Sequence, residues 1–177
     1  MAVSVGQRKL ERDISNLKLI GVYVDNPAPD FEAATLSGDK IKLSDYRGKV
    51  VLIDFWATWC APCVAELPNV KKLHEEYAAD GLVILSISFD RDDKTVRRFA
   101  ERKGMSWTQI RAEGADKGPL AKLYGVAAIP ATFVIAPDGK VVAKDVTGAR
   151  LSKAIAAEMT KLKAGKDTIA AGTTEGD

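Results

Sequence analysis

Seven consecutive residues, Val50-Val51-Leu52-Ile53-Asp54-Phe55-Trp56, are apolar at odd and even positions alike, with one aspartate as the exception. Side chains alternate between the two faces of a strand, so a run of this kind must be covered on both sides. It reads as the middle strand of a sheet with helices on each face, which restricts the chain to an α/β architecture.

The neighbouring segments fill in that plan. Phe31–Leu36 and Lys40–Leu43 read as a β-hairpin around Ser37-Gly38-Asp39, because glycine supplies the positive φ of a tight turn. Val64–Ala79 carries Leu67, Val70, Leu73 and Tyr77 on one side and stops at Asp80-Gly81, which predicts a helix. Leu82–Phe89 is a second buried strand. Next come a charged helix over Asp92–Lys103 closed by Gly104, a short strand over Trp107–Ile110 and a short helix over Pro119–Tyr124. Thr132–Ala136 and Val141–Asp145 pair across Pro137-Asp138-Gly139, and Leu151–Leu162 is the last helix. A βαβ unit, an inserted helix and strand, and a ββα unit predict a mixed central sheet flanked by helices, preceded by the hairpin.

Residues 1–26 read as a helical stub or linker. Leu10, Ile14 and Leu17 recur at helical steps over Gln7–Ile20 before Asp25-Asn26-Pro27-Ala28-Pro29 breaks the pattern. Residues 27–163 form the domain, and residues 164–177, rich in Gly, Thr and Ala, read as a disordered tail.

A net charge of +2 from 26 basic and 24 acidic residues gives no strong field, so nothing argues for nucleic acid or a lipid surface. No apolar run reaches bilayer length, and Met1–Gly21 is too mixed in polarity for a secretion signal. The expectation is either a cytoplasmic protein or an excised extracytoplasmic domain, periplasmic or membrane-tethered, that would meet a membrane only through a missing anchor. Two cysteines and one histidine, His74 in a charged segment, are too few for a zinc site, so no metal is expected.

Those two cysteines stand at Cys60 and Cys63, four residues beyond the buried strand and at the spacing of a dithiol that can close on itself. The thiolate is the species that attacks a disulfide, and a free cysteine with pKa about 8.5 supplies little of it at neutral pH. Lowering that value to about 7 takes roughly 2 kcal/mol. The unpaired N–H groups of a helix's first turn contribute part of it, and direct donation to the sulfur must add the rest. Cys60 is therefore expected to be the exposed nucleophile, and Cys63 the resolving thiol. Pro62 suits the start of a helix, where its missing N–H has no partner to lose. Asp54, in an apolar strand, should have a raised pKa. It could take the proton of Cys63, or it could be an edge position or a structural hydrogen-bond acceptor. Glu66, three residues after Cys63, is either a second group adjusting the thiols or an exposed helix residue. Trp59 is either a platform beside Cys60 or a core aromatic. Ile129-Pro130 leads into a strand, a position that tolerates proline.

The stretch Asp54-Phe55-Trp56-Ala57-Thr58-Trp59-Cys60-Ala61-Pro62-Cys63, with Ile129-Pro130 downstream, resembles the thioredoxin superfamily. Pro27-Ala28-Pro29-Asp30-Phe31 before a hairpin, the inserted helix and strand, and Glu66 followed by Pro68 are similar to the TlpA and ResA type of thiol-disulfide oxidoreductase. The resemblance spans Pro27 to Leu162. It implies a thioredoxin-like fold in which Pro130 is cis and faces the dithiol, with Trp59, Pro62, Ile129 and Pro130 forming the substrate side. It implies that Asp54 and Glu66 serve the thiols. It also implies protein disulfides as substrates, an upstream thiol as electron donor, the Cys60–Cys63 pair as the redox centre without another cofactor, and action outside the cytoplasm, for example in cytochrome c maturation. Pro27–Phe31 also resembles the opening of peroxiredoxins, which makes a thiol peroxidase the alternative enzyme. That pattern wants threonine or serine at position 57, where this chain has alanine. A non-catalytic interaction module with a regulatory disulfide is the alternative outside catalysis.

Overall fold

The computed structural model describes residues 22–112 and 118–172, with side chains through residue 166. β1 (Glu32–Ala34) and β2 (Lys40–Lys42) pair antiparallel as a small separate sheet, and Leu43–Tyr46 is a 3-10 turn. Then follow β3 (Val50–Trp56), α1 (Ala61–Tyr77), β4 (Leu82–Ser88), α2 (Asp93–Lys103), β5 (Thr108–Arg111), α3 (Gly118–Leu123), β6 (Ala131–Ile135), β7 (Val141–Lys144) and α4 (Gly148–Gly172). The main sheet has the order β5-β4-β3-β6-β7. β3 is its middle strand, parallel to β4 and antiparallel to β6, so the sheet is mixed as expected.

Every residue of β3 is buried, and alternate residues serve two cores. Val50, Leu52 and Trp56 pack in one cluster with Leu67, Val70 and Leu73 of α1 and Leu151, Ile155 and Met159 of α4. Val51, Ile53 and Phe55 pack in the other with Phe31, Ala121 of α3, Tyr124 and Phe133 of β6. Position 54 has the parity of Leu52 and Trp56, which puts Asp54 on the α1 side of the sheet.

Two expected boundaries change. The last helix continues to Gly172, ten residues past Leu162, through residues assigned to the tail. Ala164 and Lys166 are good helix formers, and Lys163 and Lys166 both reach back to Asp80, by an ion pair of 2.6 Å and a hydrogen bond of 3.1 Å to its carbonyl. At the other end, Val22 is buried in the second core. Asp25, Asn26 and Ala28 exchange main-chain hydrogen bonds with Gly139 and Val141. Residues 22–26 are thus part of the packed unit, because they pair where β7 begins. The expected helix over Gln7–Ile20 lies outside the described residues.

Phe133 sets the core's worst-case test. It is fully buried, with its ring 5.1 Å from that of Tyr124 and 6.1 Å from that of Phe55. Phe133→Ala should lower unfolding free energy by about 3–5 kcal/mol in a urea titration.

Candidate active site

β3 gives way to α1 through Ala57–Cys60. Cys60 takes the N-cap position, with extended φ and ψ of −86° and 98°, and its sulfur accepts a hydrogen bond from the N–H of Cys63 at 3.4 Å. This is the cap geometry that serine or aspartate usually supplies, here made by sulfur. Pro62 sits in the first turn, and that turn contains no acidic residue to oppose an anion at Cys60. Cys60 and Cys63 are joined as a disulfide with Cα atoms 5.3 Å apart.

The expected exposure of Cys60 is not observed. Both cysteines are 5% exposed, because the N-cap side chain folds back over the first turn toward its partner. Trp59, at 67% exposed, presents the solvent face beside them and is no core aromatic. Pro62 is also exposed. The Ile129-Pro130 bond is cis, and β6 begins at the next residue, Ala131, which pairs with Phe55 near the end of β3. Ile129 packs against the cluster that contains both cysteines. The sheet register therefore brings the proline loop to the end of the strand that feeds the dithiol.

Asp54 is buried, which excludes the edge position. Its register partners are Ser86 on β4 and Thr132 on β6, and Ser86 is in turn opposite Gln109 on β5. These four buried polar residues form one row across the sheet. Thr132 is engaged elsewhere, donating to the Val146 carbonyl at 2.6 Å. The Ser86 hydroxyl accepts from the Trp107 indole N–H at 2.8 Å and donates to Asp54 over a long 3.5 Å. Burial, so weakly compensated, raises the Asp54 pKa from 3.8 to about 7. The Ser86 hydrogen bond opposes this shift, and the nearby negative charge of Glu66 adds to it.

Glu66 is not a free surface residue. One of its oxygens accepts from the N–H of Gly148 and from the Asn69 amide, each at 2.7 Å. It ties α1 to the start of α4, and it bears on the site through Asp54. His74 lies against Trp107, with ring centroids 5.4 Å apart and planes tilted by 48°.

One buried acid was not anticipated. Asp90, two residues past the end of β4, accepts from Thr58 N–H at 2.9 Å, Thr58 hydroxyl at 2.6 Å and Ser88 hydroxyl at 2.7 Å. It pins the turn two residues ahead of Cys60. Its signal in the sequence is a carboxylate just past the buried run Leu82–Phe89, whereas Asp54 lies inside such a run.

Residues 24–144 match the AhpC/TSA family. The chain is 37% identical over 142 residues to the thiol-disulfide oxidoreductase ResA of Geobacillus thermodenitrificans, covering 80% of this chain and 79% of that protein. Among solved structures, the thioredoxin domain of a thiol-disulfide oxidoreductase from Bacteroides vulgatus superposes with a TM-score of 0.67 at 28% identity, over 72% of this chain and 91% of that one. A secreted thiol-disulfide isomerase from Corynebacterium glutamicum gives 0.65 at 26% identity, over 75% and 85%.

Asp54 makes stability depend on pH with a definite sign. Between about pH 4 and pH 7 the folded chain keeps a proton that the unfolded chain has lost, so unfolding free energy should fall as pH rises through that window, by at most about 4 kcal/mol. Asp54→Asn should remove the slope and leave the protein more stable than wild type at about pH 8. Urea titrations across the pH range check both.

Proposed function

The chain belongs to the AhpC/TSA family and is a thiol-disulfide oxidoreductase of thioredoxin-like fold, and from that premise we propose that it works as a reductase of protein disulfides. In the reduced enzyme, the Cys60 thiolate attacks one sulfur of a substrate disulfide. A Cys60–substrate disulfide forms, and the other substrate sulfur leaves as a thiolate that takes a proton. Cys63 then gives its proton to Asp54 and attacks the Cys60 sulfur. The Cys60–Cys63 disulfide closes and the second substrate thiol is released. Two electrons have passed to the substrate, and an upstream thiol must return them.

The observation that carries this reading is a closed Cys60–Cys63 disulfide at a helix N-terminus, on the side of the sheet where Asp54 sits with a pKa near neutrality. An acceptor with a value near 7 is suited to taking a proton at neutral pH, where an ordinary aspartate would bind it too weakly. Trp59, Pro62 and the Ile129-Pro130 loop are the surfaces offered to substrate. The relation to ResA and to a secreted structural neighbour supports action outside the cytoplasm, with cytochrome c maturation as the setting that the resemblance suggests. No helix among the described residues is long and apolar enough to cross a membrane.

A thiol peroxidase is the second reading, favoured by the opening Pro27–Phe31. The residue three before Cys60 counts against it, because Ala57 is fully buried and has no hydroxyl to orient a peroxide.

The decisive experiment is expression of Cys63→Ser in the source organism, where mixed disulfides on Cys60 should accumulate and be identified by mass spectrometry. An empty trap, together with no turnover of insulin under a dithiol donor, would sink the reductase and leave the interaction module. Consumption of hydrogen peroxide at a rate matching disulfide turnover would favour the peroxidase. Asp54→Asn should slow the resolving step about a hundredfold. It should also abolish the rise in rate through about pH 7 that marks the loss of the Asp54 proton.

A further inference from the structure

A groove of about 450 Å³ runs along the outer side of α1. Its floor is Val64, Leu67 and Pro68, and its walls carry Lys71 and Lys72 of α1 and Lys103 at the end of α2. The α1 residues recur at steps of three and four, so they share one helix face, and the stripe begins four residues after Cys60. The groove thus leads away from the nucleophile along its own helix. Among the described residues, none of the three lysines is in an ion pair. Glu75 at the far end is the one acid lining it.

Two details shape the groove for an occupant. Gly104 closes α2 with φ of 63°, in the left-handed region that favours glycine, and the Lys71 ammonium lies against it. Pro68 puts a ring, in place of an N–H, on the floor of the groove. The Lys103 ammonium also lies 5.9 Å over the Phe99 ring, which meets the Trp56 ring at a tilt with centroids 5.5 Å apart, so this wall is continuous with the end of β3.

We propose that this groove docks an extended, acidic segment flanking the reactive disulfide of the protein substrate. The proposal rests on the reductase reading and names the chemistry of its partner. An apolar side chain of the segment covers Val64 and Leu67, and carboxylates meet Lys71, Lys72 and Lys103. The distance sets the spacing. From Cys60 to Lys71 and Lys72 the helix rises about 17 Å at 1.5 Å per residue, which an extended peptide covers in about five residues.

The test uses synthetic peptides in which one cysteine is disulfide-linked to a chromogenic thiol, with either two glutamates or two lysines about five residues away. The full reduced protein should turn over the acidic peptide about five- to tenfold faster at low salt. That ratio should shrink toward one at about 0.5 M salt. Lys71→Glu combined with Lys72→Glu and Lys103→Glu should invert it, and moving the glutamates to two residues from the cysteine should erase it. Equal rates for the two peptides, or a ratio indifferent to salt, would overturn the groove's assignment while leaving the reductase intact. The salt arm needs only wild-type protein, so it decides even if the triple variant does not fold. Failure to reduce either peptide would instead overturn the reductase reading, and the docking proposal with it.

Discussion

One sulfur has to receive main-chain N–H donation while its partner stays within bonding distance, and much of the architecture follows from that demand. A helix N-terminus offers unpaired N–H groups only over its first turn, so a sulfur that receives such donation must be the cap itself and the second thiol must sit one turn in. Cys60 and Cys63 meet both conditions. The cap then needs a rigid approach. A strand buried on both faces supplies it, and the two ends of β4 and β6 that flank β3 hold what surrounds the sulfurs. Just past β4 comes Asp90, gripping Thr58, and ahead of β6 comes the cis-proline loop.

Three acids near the dithiol differ in the donors that reach them. Asp90 is buried but receives three hydrogen bonds of 2.6 to 2.9 Å, two of them from the residue it anchors. Glu66 receives two at 2.7 Å, one from the N-terminal end of α4. Asp54 is as buried as Asp90 and receives one long contact, whose hydroxyl is already oriented by Trp107. Burial with so little donation disfavours the anion, and the Asp54 pKa rises to about 7. An apolar residue at that place would pack with less strain on stability. In the mechanism proposed above, this poorly satisfied carboxyl on the α1 side of the central strand is the group that takes the Cys63 proton.

Much of this was legible in the chain because the relevant signals are local. Two-sided burial of Val50–Trp56, the punctuation at Gly81, Gly104 and Pro137-Asp138-Gly139, and the cap geometry of Cys60 all depend on neighbours a few residues apart. The exception at each end of the unit has a long-range cause. Residues 22–26 are held by a pairing with residues 139–141, and the extension of α4 is held by Asp80. The same limit applies inside the site. The Glu66–Gly148 bond spans 82 residues and the Thr58–Asp90 bonds span 32, and periodicity carries no information over such separations. The burial of Cys60 escaped for another reason, since reactivity argues for access whereas the closed disulfide turns both sulfurs inward.

The Glu66 contact also explains how α1 tolerates its proline. An internal proline removes a helical hydrogen bond and crowds the carbonyl four residues back, at a cost of about 3 kcal/mol. Yet the helix continues through Pro68 to Tyr77. The residues on either side of the break are both fastened to α4: Glu66 accepts from Gly148 N–H, while Asn69 donates to the Gly148 carbonyl at 3.2 Å and accepts from the Ser152 hydroxyl at 2.8 Å. Leu67, Val70 and Leu73 add apolar burial on the inner face. External bonds thus replace the internal one that proline deletes. The stretch of α1 around Pro68 is held from outside as well as by the rest of its helix. A carboxylate that the sequence offers equally as a thiol regulator or a surface residue thereby joins the two helices that cover the reactive side of the sheet.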